Sequence, residues 1–291
     1  MTRSSALRAY LALAISIAGI AWSAIFVRWA GVPGAVSAFY RVLIAGAILW
    51  TWRAIRGATR PRDRRAEWIA VAGGVFFALD LALWNTAVMK TEAAVASLLG
   101  NNTPIFVGIL TWLVLRRRPR RSFWIGLGLS LAGCVLIIAA NLKTGDATRG
   151  SIVGDVLALV ASVFFAAYLV VTERVRPSLD TLTFNALAMA GSVGALAIIA
   201  VVFGLPLAGF PARAWMALAG LGLISQFVAY YALVYALGHL PATITSVGLL
   251  AQIPCTAALA WLLLGEPLGP AQLAGGAVVL AGIYVVTRDS R

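Results

Sequence analysis

Two charged side chains lie inside long apolar runs of this chain. Asp80 lies in the run 68–88, eight residues before its last residue, and Arg41 lies in the run 35–52, six residues after its first residue. These two ends of the runs are predicted to lie at the same face of the membrane. At a helical rise of about 1.5 Å per residue, their depths differ by ~3 Å. A charge near a bilayer centre costs about 2.5–3.5 kcal/mol on insertion scales, so it should face a partner or a cavity. Three interpretations remain open: a structural Asp80–Arg41 ion pair, an Asp80 that binds a proton or an ammonium group, or an Asp80 that contacts water.

Uncharged polar residues gather beside a proline in the run 93–115. Ser97 and Asn101 are four residues apart and share a helix face, and Asn102 follows directly. Pro104 lacks the N–H that would bond to the carbonyl four residues earlier, so it loosens the backbone beside these amides. The segment therefore has polar groups and a predicted bend point at its middle.

The run 241–264 repeats this pattern with Ser246, Gln252 and Pro254. Amides both donate and accept hydrogen bonds, so two such segments facing each other could hold a zwitterionic group without a fixed charge. Hydrogen bonding between packed helices is the alternative for each amide taken singly. As a pair, the two segments favour a binding site, with Pro104 and Pro254 as its gating positions.

Several aromatic residues also fall in the middle of apolar runs. They indicate a cavity suited to a ring-bearing or apolar side chain, although each one alone could equally pack against protein or lipid. Trp84 lies one helical turn from Asp80, and Phe165 and Tyr168 are three residues apart on the run 152–172. The candidate aromatic residues are Trp22, Trp84, Phe165, Tyr168 and Tyr230.

The composition predicts the elements that carry these residues. Of the 291 residues, 62% are hydrophobic and 11% charged, against about 25% charged in a soluble domain, so lipid must solvate most of the chain. This excludes a soluble enzyme, a secreted disulfide scaffold and a disordered protein. A membrane helix needs about 20 apolar residues, which predicts an all-α protein with ten spans at 9–27, 35–52, 68–88, 93–115, 123–140, 152–172, 181–203, 214–236, 241–264 and 270–287.

The positive charges are distributed unequally between the loops. With the loops assigned alternately, 17 Lys and Arg residues fall on the side of the N-terminus and 5 on the other. Cytoplasmic loops carry this excess, so we expect both termini in the cytoplasm and the chain in the inner (plasma) membrane. The net charge of +13 therefore reflects topology, and the expected partners are lipid and a small-molecule substrate, without nucleic acid; a monomer is compatible with this.

The two halves of the chain resemble each other. Residues 95–115 align with 245–265, so that Asn102 meets Gln252 and Pro104 meets Pro254. This predicts a five-helix repeat at 1–140, an extracytoplasmic linker at 141–151 and a second repeat at 152–291. Five spans are an odd number, so the second repeat enters the membrane from the opposite side. Such inverted repeats are typical of secondary transporters.

The motifs of the second half resemble those of the EamA family of the drug/metabolite transporter superfamily. The sequence Leu264-Gly265-Glu266-Pro267 is followed by Gln272, Gly275 and Leu280-Ala281-Gly282, and the first half carries Trp22 and Phe39-Tyr40-Arg41. Within that family, the chain looks most like the YddG-type exporters of aromatic amino acids. Leu115-Arg116-Arg117 stands where the first half would repeat the Leu-Gly-Glu motif.

The resemblance implies a secondary transporter that exports small hydrophobic or aromatic amino acids by alternating access. His239 is the single histidine, and the sequence contains no G-x-x-x-x-G-K-[ST] motif. We therefore expect no metal cluster, no cofactor and no nucleotide site, and we do not expect an enzyme. One alternative is an exporter of an organic cation, a nucleobase or a vitamin, with or without proton coupling. Another is a membrane binding or sensor protein that transports nothing.

Overall fold

The computed structural model describes residues 3–57, 63–90, 99–142, 152–264 and 269–288. Within these ranges every regular element is helical. In chain order they are α1 Arg3–Ala21, α2 Ser23–Ala30, α3 Gly34–Arg56, α4 Arg64–Lys90, α5 Thr103–Leu115, α6 Arg121–Leu142, α7 Ile152–Val175, α8 Thr181–Val202, α9 Ala212–Gly220, a π-helical segment Leu221–Val228, α10 Ala229–Leu237, α11 Ala242–Leu249, α12 Gln252–Leu264 and α13 Pro270–Arg288.

Eight segments of the described chain are long and apolar enough to cross a membrane. They are Ser5–Ala30, Gly34–Arg56, Arg64–Ala87, Ile152–Val175, Thr181–Val202, Ala212–Leu237, Ala242–Leu263 and Pro270–Arg288. Two shorter apolar helices cover Thr103–Leu115 and Arg121–Ile137. The predicted all-helical membrane fold is confirmed, while the count of ten spans stays a prediction, because part of the fourth lies at 91–98, outside the described residues.

Small residues let the central helices approach closely. α4 packs along both α7 and α8, and Gly74 and Gly191 lie where an added Cβ would meet backbone atoms of the opposite helix. Lipid offers no hydrophobic drive for helix association, so such close packing supplies the stabilising contacts. The resulting core holds large buried side chains from several helices, including Phe77, Tyr168 and Phe184.

α6 and α13 form a second close pair. A Cβ on Gly133 would lie 2.5 Å from the carbonyl oxygen of Gly275, and one on Gly126 would lie 2.5 Å from the carbonyl oxygen of Gly282. Between these contacts the hydroxyl of Ser130 donates to the carbonyl of Val279 at 3.3 Å. The backbones therefore touch at two positions, seven residues apart on each helix.

The end of α7 is tied to two other parts of the chain. Glu173 accepts a hydrogen bond from the N–H of Ala242, the first residue of α11, at 2.8 Å, and pairs with Arg117 at 3.3 Å. The buried guanidinium of Arg176 donates to the carbonyl of Val234 at 3.1 Å and to the hydroxyl of Thr181 at 2.8 Å. It also donates to the carbonyl of Leu179. These bonds fix the turn between α7 and α8 against α10.

Candidate functional site

Four of the apolar segments are interrupted. The helix pattern breaks at Trp22 between α1 and α2, at 101–102 before α5, and at 250–251 between α11 and α12, while the α9–α10 segment is π-helical at Leu221–Val228. A helix break leaves backbone groups without helical partners, and π-helical turns often occur at functional sites. Interrupted helices at membrane depth line a cavity or are buried in protein.

Two of these breaks lie against each other and enclose a small cavity of about 40 Å³. That is room for one or two water molecules, whereas ligand pockets measure roughly 300–1,000 Å³. The centre is therefore narrow in this conformation. The lining residues are Gly100, Asn101, Thr103, Pro104, Phe165, Ser246, Leu249, Leu250 and Gln252.

Five of the predicted site residues therefore meet here, from both halves of the chain: Asn101, Pro104, Phe165, Ser246 and Gln252. Both prolines lie in the first turn that follows a helix break, where a missing N–H costs little. The predicted loosening therefore takes the form of an interruption just before each proline. The gating role of the prolines stays a prediction.

The polar groups around the cavity differ in their hydrogen bonding. In the described part of the chain, the amide of Gln252 makes no hydrogen bond. Ser246 donates to the carbonyl of Thr243 at 3.1 Å, and Asn102 donates to the carbonyl of Leu99 at 3.1 Å, across the helix break. Asn102 thus supports the local backbone and does not line the cavity, while Gln252 keeps its hydrogen-bonding capacity for a ligand or for water.

The predicted aromatic residues separate into two groups. Phe77 lies at the centre of one group, with ring centroids 4.7 Å from Tyr230, 5.0 Å from Tyr168 and 6.4 Å from Phe165. Because Phe165 lines the cavity, this group leads from the cavity wall into the core. Trp22 is separate and stacks on Phe26 at 5.7 Å.

Trp84 adjoins the cavity from α4. A Cβ on Gly100 would lie 2.9 Å from the Nε1 atom of the Trp84 indole, so only a glycine permits this approach. Ser97, the remaining predicted residue of that segment, lies outside the described residues.

Arg41 has hydrogen-bond partners that were not predicted from the sequence. Its Nε donates to the side-chain oxygen of Gln226 at 2.8 Å, Nη1 to the hydroxyl of Ser23 at 3.3 Å, and Nη2 to the carbonyl of Ser225 at 3.5 Å. The guanidinium also lies 5.6 Å from the centre of the Tyr230 ring. A signal was available, because Ser225-Gln226 is a polar pair inside an otherwise apolar run.

The structural ion pair of Asp80 and Arg41, one of the three interpretations, is not formed in this structure. The ion pairs among the described residues do not include these two. Arg41 and Asp80 nevertheless interact electrostatically. Asp80 is half-buried and belongs to the same face of α4 as Phe77 and Trp84, three and four residues away.

Long apolar helices that surround interrupted segments and a polar centre define a multi-pass membrane protein of the transporter type. The comparison with protein families identifies it further: the chain belongs to the EamA-like transporter family, whose model matches residues 7–139 and 152–288. This confirms the family expected from the sequence motifs. The YddG-type subgroup stays a prediction.

Relatives support the same class. The chain is 29% identical over 212 residues to the "Uncharacterized transporter YwfM" of Bacillus subtilis, covering 72% of this chain and 69% of that protein. It is 29% identical over 255 residues to an "Uncharacterized transporter" of Archaeoglobus fulgidus, covering 86% of each. It is 27% identical over 250 residues to a "Probable terminal-alkyne amino-acid exporter" of Streptantibioticus cattleyicolor, covering 85% of this chain and 82% of that protein.

A crystal structure with 19% sequence identity superposes with a TM-score of 0.82, covering 100% of this chain and 99% of the other. This agreement shows the shared fold.

Proposed function

We propose that the protein is a secondary transporter that exports small hydrophobic or aromatic amino acids by alternating access. The observation that carries the proposal is the cavity between two interrupted segments, where Asn101, Ser246 and Gln252 meet the ring of Phe165. The amides match a polar head group, and the aromatic group behind Phe165 matches a ring or apolar side chain. A relative named as an amino-acid exporter supports the same substrate class.

The transport mechanism requires two halves that move against each other, and we propose the ranges 1–140 and 152–291 as inverted five-helix repeats joined by 141–151. The family model matches once within each range. In the sequence register, Gly126 corresponds to Gly275 and Gly133 to Gly282. The observed contacts are Gly126 with Gly282 and Gly133 with Gly275, which is the reciprocal pattern expected across a two-fold axis.

The Lys and Arg distribution supports a plasma-membrane protein with both termini in the cytoplasm. The site is formed within one chain, so a monomer is sufficient for the proposed transport. Rocking of the halves would widen and re-orient the narrow cavity, with the interruptions before Pro104 and Pro254 as bend points.

Counterflow in proteoliposomes tests the proposal. Vesicles containing purified protein are loaded with unlabelled phenylalanine, tryptophan or methionine, and the uptake of the labelled amino acid is followed with and without a pH gradient. We expect accelerated exchange for wild type and its loss in Asn101→Leu and Gln252→Leu, while both variants still insert. Gln272→Leu is the matched control, because it makes the same change in the first turn of α13, outside the cavity. Full exchange in both cavity variants would disprove this site.

One observation favours a second candidate, the export of an organic cation. Asp80 is half-buried and makes no ion pair within the described chain, so it could bind a cationic substrate. Vesicles loaded with a quaternary ammonium compound distinguish the two candidates: exchange of the cation without amino-acid exchange supports this second function. Absence of counterflow for every solute would instead support a sensor or binding protein.

A further inference from the structure

Arg41 is a buried cation whose hydrogen-bond partners are all neutral. Its side chain is 6% exposed, and its acceptors are Gln226, the Ser23 hydroxyl and the Ser225 carbonyl. A guanidinium carries five N–H donors, so these three bonds and a further hydrogen bond to Tyr230 still leave a donor available. A buried charge is normally paired with an opposite charge, and this charge is not.

Asp80 is the complementary case. Its carboxylate makes no hydrogen bond and no ion pair in the described part of the chain, although it interacts electrostatically with Arg41 and Tyr230. It is half-buried. Phe77 and Trp84 on the same helix face contact Phe165 and adjoin Gly100, both of which line the cavity, so Asp80 shares its face with residues that adjoin the cavity wall.

The bonds of Arg41 explain why the opposite charges do not meet. Gln226 and Ser225 belong to the π-helical segment, which contacts α3, and they hold the guanidinium toward that segment. Tyr230 follows this segment in α10, and its ring packs against both Arg41 and Phe77. The guanidinium is thus held by the π-helical segment and the Tyr230 ring, and it makes no ion pair with Asp80 among the described residues.

We propose that Arg41 and Asp80 recognise the two charges of a zwitterionic substrate, with its carboxylate at Arg41 and its ammonium group at Asp80. The inference rests on the proposed function and narrows its substrate to solutes that carry both charges on neighbouring atoms. Arg41 offers the planar pair of donors that suits a carboxylate. The amides of Asn101 and Gln252 complete the hydrogen bonds to the head group, and the aromatic group contacts the side chain when the centre is wider.

Competition in phenylalanine exchange tests this charge recognition. Unlabelled phenylalanine, 3-phenylpropionate and 2-phenylethylamine compete with labelled phenylalanine for exchange by wild-type protein. The second compound lacks the ammonium group and the third lacks the carboxylate, while all three share the ring. We expect each analogue to compete at least ~10-fold more weakly than phenylalanine, because it leaves one buried charge unpaired.

Two variants assign the charges to residues. Asp80→Asn should reduce the preference for phenylalanine over 3-phenylpropionate by ~10-fold and leave the preference over 2-phenylethylamine unchanged. Arg41→Lys should keep the ammonium preference and weaken the carboxylate preference, since a lysine lacks the planar donor pair. Glu67→Gln in α4 and Arg213→Gln in α9 are matched controls that remove one charge each near the ends of the bundle.

The outcomes separate this inference from the proposed function. If wild type exchanges phenylalanine but both analogues compete equally well, the amino-acid function stands and the charge recognition is refuted. If Asp80→Asn lowers exchange equally for all probes and removes a dependence on the pH gradient, Asp80 carries a proton and the inference is also refuted. If wild type exchanges no phenylalanine, both proposals fail together. The wild-type comparison does not depend on any variant that fails to fold.

Discussion

Replacement of Gly133 by alanine tests the close pairing of α6 and α13. The added Cβ would lie 2.5 Å from the carbonyl oxygen of Gly275 and 2.7 Å from the backbone nitrogen of Val279. Ordinary van der Waals contact begins at 3.4 Å, so the helices must separate by about 0.9 Å, the difference between 3.4 and 2.5 Å. Both obstructing atoms are backbone and cannot rotate away.

The expected cost is about 1–3 kcal/mol, the range for overpacking in a close-packed interior. Gly128→Ala is the matched control, because it makes the same substitution five residues earlier on α6, where nothing lies within 4 Å of the added Cβ. There, alanine should stabilise the helix by up to ~1 kcal/mol through its greater helix propensity. The two variants therefore differ in sign although their chemistry is identical.

Thermal unfolding of the purified protein in detergent, followed by tryptophan fluorescence, measures the difference. We expect Gly133→Ala to lower the midpoint by several degrees and Gly128→Ala to leave it unchanged or raise it. Gly126→Ala, at the reciprocal contact with Gly282, should behave like Gly133→Ala. If Gly133→Ala unfolds at or above the temperature of Gly128→Ala, the described packing of these helices is incorrect.

Two further predictions concern the end of α7 and use the same unfolding measurement. Glu173→Leu should lower the free energy of unfolding by about 1–3 kcal/mol, because the N–H of Ala242 loses its acceptor. Arg117→Ala should lower it by at most ~1 kcal/mol, because the Arg117 side chain is 73% exposed and exposed ion pairs contribute little. Equal losses of stability in the two variants would contradict this assignment. Arg176→Met should destabilise the protein by roughly 3 kcal/mol or more, because the acceptors of a buried guanidinium lose their donor, and a wild-type midpoint would refute that structural role.

Much of the candidate site could be predicted from local sequence patterns. Asn101 and Gln252 carry amides near prolines in two segments of similar sequence, and the structure brings both to one cavity. The pattern was sufficient because a helix break beside a proline is a local property of the backbone. The binding role of these residues remains a prediction.

The sequence by itself determined that this chain lies in a membrane, because its apolar content exceeds what any soluble core could enclose. It also determined the family, since the motifs are properties of the chain alone. Helical periodicity further indicated that Trp84 lies one turn from Asp80.

Only the tertiary structure decided which side chains meet across helices. Depth along two helices made Asp80 a plausible partner for Arg41, but depth carries no information on helix rotation or on the neighbouring helices. The packing of α3 against the π-helical segment instead places Arg41 in hydrogen-bonding contact with Gln226. Contacts between spans depend on how closely small residues such as Gly74 and Gly133 let backbones approach, which is a property of both surfaces at once.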